Sequence, residues 1–123
     1  MIFNRAIVAV AFLVAANTSL ADGVMKGDAV AGEALVASCT ACHGADGNSL
    51  APTFPKLAGL GERYLLKQMK DIRDGRRPVA LMAGQVDNMT DQQLADIAAF
   101  YDGQTRTSGT TDPELLALGR KVY

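Results

Sequence analysis

Cys39-Thr40-Ala41-Cys42-His43 is the stretch that most restricts the interpretation of this sequence. It has the C-x-x-C-H pattern through which c-type haem is attached to a protein. Two cysteines three positions apart at the end of a helix can form thioethers with the vinyl groups on one side of the porphyrin. The histidine that follows then lies under the iron as an axial ligand. The pattern therefore predicts one covalently bound haem c, held by Cys39 and Cys42 and ligated by His43.

Three other interpretations of the two cysteines are weaker. A structural zinc site usually needs four Cys or His ligands, and the 123-residue chain has two Cys and one His. A thioredoxin-like pair expects neighbouring strands, and no run of this sequence alternates apolar and polar residues. A disulfide across two intervening residues closes a very small ring and stabilises little. Haem attachment is favoured over all three.

The second axial ligand of the iron has to be sought among other residue types, because His43 is the only histidine. Methionine is the usual choice, and the chain after residue 21 offers Met25, Met69, Met82 and Met89. Met69 falls in the apolar stripe of a predicted helix, Met89 directly precedes a predicted helix cap, and Met25 precedes the first helix. Met82 lies in a loop with a proline and a glycine, which can cross the open face of the haem. Met82 is therefore the predicted ligand, with Met89 as the main alternative.

The spacing of apolar residues predicts an all-α fold with three main helices and long loops around the haem. The helices are expected from the cap Asp28 to about Cys42, from Glu62 to Asp74, and from Thr90 onward. The third begins with a capping box, because Gln93 stands three residues after Thr90. The apolar face of this third helix consists of Leu94, Ile97, Ala98 and Tyr101.

The first 21 residues have the form of a secretory signal peptide. Arg5 supplies the positive charge, Ala6 to Ala16 form an apolar run, and Ser19-Leu20-Ala21 offers small residues at the cleavage positions. A transmembrane helix needs about 20 apolar residues, so the run is too short to span a bilayer. We expect cleavage after Ala21 and export to the periplasm.

Charge excludes one broad class of function. The chain has 12 Lys and Arg against 13 Asp and Glu. Without residues 1–21, whose only charged residue is Arg5, the formal charge is 11 − 13 = −2. Nucleic-acid-binding proteins usually carry a clustered basic excess, so no nucleic-acid partner is expected.

From Asp28 onward the chain resembles a class I c-type cytochrome, specifically the N-terminal domain of the dihaem cytochrome c4 family. Four stretches carry the resemblance: CTACHGADGN (39–48), FPKLAG (54–59), GERYLLKQ (61–68) and DQQLADIAA (91–99). The family places its axial methionine in the loop after the second helix, which matches Met82. The resemblance also implies that the carbonyl of Pro55 accepts a hydrogen bond from the proximal histidine. It places Tyr64 and Arg77 near the haem edge, where either side chain could meet a propionate.

The resemblance implies a domain organisation in three parts. Residues 1–21 are the signal peptide, 22–103 the cytochrome c domain, and 104–123 a linker with the start of a truncated second cytochrome c domain. The linker assignment rests on the Gly, Ser and Thr content of 103–111, and residues 112–119 resemble the opening of the second domain. The apolar face of Leu115, Leu118 and Val122 is then expected to lack its core.

A His/Met-ligated iron leaves no position for a substrate, so the sequence predicts a single-electron carrier and not an enzyme. The family resemblance places this carrier in a respiratory chain. The resemblance implies redox partner proteins, among them membrane respiratory complexes such as a terminal oxidase, and peripheral association with the membrane is compatible with that role. Two alternatives stay open. One is a five-coordinate haem domain that reduces peroxide or binds a gas, and the other is an electron-relay subunit of a dehydrogenase.

Overall fold

The structure, a computed structural model, describes residues 25–122. Within that range the regular elements are helical and no strand is present. They are α1 (Ala29–Glu33), α2 (Ala37–His43), α3 (Glu62–Arg73), a 3-10 helix (Ala80–Met82), α4 (Asp91–Asp102) and α5 (Pro113–Val122). No helix of this range combines the length and apolar composition needed to cross a membrane. The expected signal peptide lies outside the described residues.

The first predicted helix is in fact two helices. It begins as expected at Asp28, whose carboxylate accepts hydrogen bonds from the backbone N–H groups of Val30 and Ala31. The prediction of a single helix to Cys42 was wrong, because α1 ends at Glu33 and α2 begins at Ala37. Val36 is buried in the core at this break. The turn lets α1 follow α4 while α2 presents its cysteines and histidine to a separate cavity.

α1 and α4 pack with their backbones in direct contact. Gly32 is buried, and a Cβ atom there would lie only 2.1 Å from the carbonyl oxygen of Asp96. The Asp96 carboxylate is itself buried and accepts a hydrogen bond of 2.8 Å from the backbone N–H of Asp28. The same oxygen, Oδ1, also accepts a hydrogen bond of 2.8 Å from the side-chain amide of Gln92. A glycine at 32 is therefore needed for the observed approach.

The core lies between α2, α3 and α4. The predicted apolar face of α4 is confirmed, since Leu94, Ile97, Ala98 and Tyr101 are all buried. Leu65 of α3 is buried against it, and Met69 packs partly buried on the same cluster. The predicted capping box is also present, with the Thr90 side chain accepting from the Gln93 backbone and the Gln93 side chain from the Thr90 backbone.

The loop 44–61 is closely packed on α4 despite having no regular element. The carbonyl of Gly47 accepts hydrogen bonds from the N–H groups of Leu57 and Ala58, at 2.7 and 3.2 Å. Gly47 has a positive φ of 76°, and a Cβ atom there would lie 2.7 Å from the ring of Tyr101. Glycine is required for both reasons.

The start of the expected linker is fastened to this loop. The buried side chain of Asn48 donates to the carbonyl of Thr105 at 2.9 Å and accepts from the N–H of Thr107 at 2.8 Å. Lys56 adds a hydrogen bond of 2.7 Å to the hydroxyl of Thr107. Beyond these contacts, α5 exposes the apolar face that the sequence outlines, with Leu115 64% and Val122 69% exposed.

Candidate haem site

An apolar cavity of about 400 Å³ lies between α2, α3, α4 and the segment that joins α3 to α4. It brings together every residue that the sequence assigned to the site. These residues are Cys39, Cys42, His43, Pro55, Tyr64, Arg77 and Met82. The remaining wall is largely apolar and includes Phe54, Leu57, Leu60, Leu65, Met69, Ile72, Val79, Val86 and Ile97.

His43 is the last residue of α2 and is 7% exposed. Its Nδ1 atom lies 2.9 Å from the carbonyl oxygen of Pro55. A carbonyl can only accept, so Nδ1 donates here, and in the neutral imidazole Nε2 is then the nitrogen whose lone pair can bind a metal ion. This hydrogen bond also fixes the orientation of the ring, which Phe54 contacts edge-on at a centroid distance of 6.3 Å. The hydrogen bond implied by the family resemblance is thus present.

Cys39 and Cys42 are free thiols one helical turn apart on α2, and both line the cavity. Cys39 is partly buried and Cys42 is exposed. Burial raises the pKa of the Cys39 thiol, and the neighbouring polar groups of Ser38 and Tyr101 oppose that rise in part. The two thiols therefore face one wall of the cavity from the same helix as His43.

Met82 ends the 3-10 helix Ala80–Met82, a short regular element that the sequence did not predict. Its backbone N–H donates to the carbonyl of Val79 at 2.9 Å, and its carbonyl accepts from the N–H of Gln85 at 3.1 Å. Of the other methionines, Met69 also lines the cavity but packs on the core, whereas Met89 packs on the core without lining it. The fourth methionine, Met25, is exposed.

Tyr64 and Arg77 lie at the cavity as expected, and both are exposed. Arg77 Nη1 donates to the amide oxygen of Gln68 at 2.5 Å. Among residues 25–122 the Arg77 guanidinium has no carboxylate partner. It is therefore free to meet an anionic group at the cavity.

Tyr101 is a site residue that sequence reasoning placed only in the core. It is 1% exposed and lines the cavity, and its hydroxyl has no hydrogen-bond partner within the described chain. Burial is the main cause that raises the pKa of this hydroxyl, and the neighbouring Cys39 adds to the effect. The spacing of apolar residues in α4 predicts that Tyr101 is buried, but it does not indicate that Tyr101 lines the cavity.

The residues present fit a haem c. The cavity is apolar, two thiols and an imidazole line it from one helix, and a methionine thioether comes from a different segment. No cluster of three or more His, Cys, Asp or Glu within residues 25–122 offers a site for a bare metal ion. A porphyrin iron, which needs only two protein ligands, matches this set.

Comparison with known proteins identifies the family. The family model described as cytochrome c matches residues 29–102. The chain is 60% identical over 97 residues to cytochrome c4 of Pseudomonas aeruginosa, which is 79% of this chain and 48% of that protein. It is 46% identical over 81 residues to cytochrome c-554(548) of Halomonas halodenitrificans, which is 63% of this chain and 98% of that protein.

A solved structure gives the same result. The crystal structure of reduced recombinant cytochrome c4 from Pseudomonas stutzeri superposes with a TM-score of 0.75 and 51% identity, over 78% of this chain and 55% of that one. The chain therefore spans about half the length of the cytochrome c4 relatives that it matches. The all-helical fold is the cytochrome c fold, and its cofactor is covalently bound haem c. This chain belongs to the cytochrome c family.

Proposed function

We propose that the protein is a single-electron carrier in which Cys39 and Cys42 hold the haem and His43 and Met82 ligate its iron. One observation carries the proposal. One apolar cavity is lined both by the C-x-x-C-H segment, whose histidine directs Nδ1 at the Pro55 carbonyl, and by the methionine of the α3–α4 segment. The bound haem supplies a reversible change of one electron at iron.

The residues around the cavity explain why transfer, and not substrate chemistry, is favoured. His43 and Met82 would together hold the iron, which would leave no position on it for a substrate. The hydrogen bond from His43 to Pro55 holds the imidazole in one orientation, which keeps the ligand geometry similar in both redox states. The apolar wall excludes water, and the thioether and burial both favour the reduced form.

The domain organisation and partners belong to the same proposal. Residues 22–103 form the haem domain, and the match to nearly the full length of the Halomonas cytochrome supports a single domain of this size as a complete carrier. The signal-like sequence of residues 1–21 supports export to the periplasm. There the partners would be redox proteins, including membrane respiratory complexes such as a terminal oxidase.

The test compares methionine variants of the haem-loaded protein. Met82→Leu, Met69→Leu and Met89→Leu conserve volume, and the optical spectra of both redox states are recorded with and without carbon monoxide. We expect the near-infrared sulfur-to-ferric band in the wild type and in the variants at 69 and 89, and its loss in Met82→Leu, which should also bind carbon monoxide.

Carbon monoxide binding by the wild type would instead support the five-coordinate alternative. Loss of the band in Met69→Leu alone would transfer the ligand role to the second methionine that lines the cavity. Haem that separates from the denatured chain would contradict the thioether attachment at Cys39 and Cys42.

A further inference from the structure

The segment that carries Met82 is fastened to the rest of the protein at its ends. It comprises residues 75–90, between the end of α3 and the start of α4. Among the described residues, positions 78–85 make hydrogen bonds only within residues 78–86 or none at all. The position of Met82 therefore depends on how the two ends of the segment are held, and on Val86, which is buried.

One guanidinium contacts both ends of this segment. Arg73 stands in the last turn of α3, and its side chain is 18% exposed. Its Nε atom pairs with Asp74 Oδ1 at 2.8 Å, immediately before the segment. Its Nη1 atom donates to the carbonyl of Met89 at 3.1 Å and pairs with Asp91 Oδ1 at 2.7 Å, at the far end.

The two ends differ in how much they need such a contact. The near end follows α3 directly along the chain, and the N–H of Arg77 also donates to the carbonyl of Asp71 at 2.9 Å. The far end reaches α3 through side chains, namely Arg73 and Lys70, the latter at 2.5 Å from Asp91. Arg73 is the group that binds the segment's own backbone there, at Met89. The donor in this hydrogen bond is the charged guanidinium of Arg73, and hydrogen bonds from a charged donor are stronger than those between neutral groups.

We propose that Arg73 is a positioning residue for Met82: it closes the segment 75–90 against α3 and so holds the methionine sulfur over the cavity. The inference rests on the proposed function, because it takes Met82 as the axial ligand. Opening of a segment costs less when one of its fastenings is removed. Loss of Arg73 should therefore increase the fraction of molecules in which Met82 has left the iron.

The test is Arg73→Gln with Arg76→Gln as its matched control. Arg76 belongs to the same ion-pair cluster and loses the same charge, but it pairs only with Asp71 at 2.8 Å and Asp74 at 3.0 Å, both at the near end. The readout is the rate at which the reduced, haem-loaded protein binds carbon monoxide when Met82 release limits the reaction. We expect Arg73→Gln to raise this rate about tenfold and Arg76→Gln less than about twofold.

A purely structural role for Arg73 would lower the unfolding midpoint without changing this rate relative to the control. Equal rates in the two variants would overturn the inference while leaving the proposed function intact. A wild type without the sulfur-to-ferric band would instead remove Met82 as the ligand. If Arg73→Gln does not accumulate, Arg73→Lys decides, because a lysine cannot contact Asp74, Met89 and Asp91 together. A wild-type rate in that variant would overturn the inference, and an intermediate rate would support it.

Discussion

The contact of α1 with α4 makes a quantitative prediction for Gly32→Ala. The added Cβ atom would lie 2.1 Å from the carbonyl oxygen of Asp96 and 2.5 Å from its carbonyl carbon. Carbon and carbonyl oxygen atoms normally approach to about 3.3 Å, so α1 must move away by about 1 Å. The added Cβ is fixed to the backbone of α1, and the Asp96 carbonyl belongs to the backbone of α4. Neither group can therefore rotate out of the way.

The energetic terms follow from that displacement. Overpacking of this kind costs about 1–3 kcal/mol. The hydrogen bond from Asp28 N–H to the Asp96 carboxylate, 2.8 Å long, would be stretched beyond bonding distance at a cost of about 1.5 kcal/mol. Alanine in place of glycine returns about 1 kcal/mol of helix propensity. The net loss is about 1.5–3.5 kcal/mol, which lowers the unfolding midpoint of a domain of this size by roughly 6–28 °C.

Urea unfolding of the haem-loaded protein, followed by far-ultraviolet circular dichroism, measures this loss. Gly103→Ala is the matched control, because a Cβ there would meet backbone oxygens at an ordinary 3.6 Å. Its φ of −69° and ψ of −9° also suit alanine, so the control should be neutral or slightly stabilised. An unfolding free energy for Gly32→Ala within about 0.5 kcal/mol of wild type would refute the close approach of the two helices.

Three further predictions concern the cavity, the contact of Asn48 with the residues that follow α4, and stability in acid. Tyr101→Phe removes a hydroxyl without a partner, so the unfolding free energy should stay constant or rise by up to about 1 kcal/mol; a loss of that size would show that the hydroxyl is bonded in the haem-loaded protein. Asn48→Ala removes the side chain that holds Thr107 and should speed amide hydrogen exchange at Thr107 while costing about 2 kcal/mol, whereas Thr110→Ala should change neither. The pKa of Asp91 is lowered by Lys70 and then Arg73, and that of Asp74 by Arg73. The stability from these pairs is therefore complete above the unfolded pKa of about 3.9 and is lost as pH falls through the lower folded pKa values. In the double variant Asp74→Asn/Asp91→Asn, the unfolding free energy measured against pH should therefore fall less steeply in that range. An unchanged slope would contradict the pairing.

Local chemistry made much of the fold and site predictable. Thr90 and Gln93 cap α4 through contacts three residues apart, and their geometry needs nothing from the rest of the chain. Cys39 and His43 likewise lie on one helix because of their spacing. Met82 was predicted as a ligand by excluding the methionines that have a structural role, and in the structure it lines the cavity.

The features that sequence reasoning missed depend on distant residues. The spacing of apolar residues through Leu35 and Cys39 suits one continuous helix, whereas the break at Val36 lies between the contact of Gly32 with α4 and the cavity that α2 lines. Residues 103–111 were predicted as a linker from their composition alone. Their contacts could not be predicted, because the side chain that holds Thr107 is that of Asn48, 59 residues earlier. The contact of Tyr101 with the cavity has the same origin, since it requires the loop 44–61 to be in place.

The hydrogen bonds that hold Thr107 also limit how far α5 can move from the domain. Asp112 caps that helix by accepting from the N–H of Glu114 at 2.8 Å, so only residues 108–111 lie between the last anchor and the cap. A flexible stretch of four residues has a root-mean-square span of about 10 Å. The exposed apolar face of α5 is thus confined to a small volume beside the loop 44–61. Any surface within that radius meets it at an effective concentration in the millimolar range, so an apolar contact there with a millimolar Kd would be about half occupied.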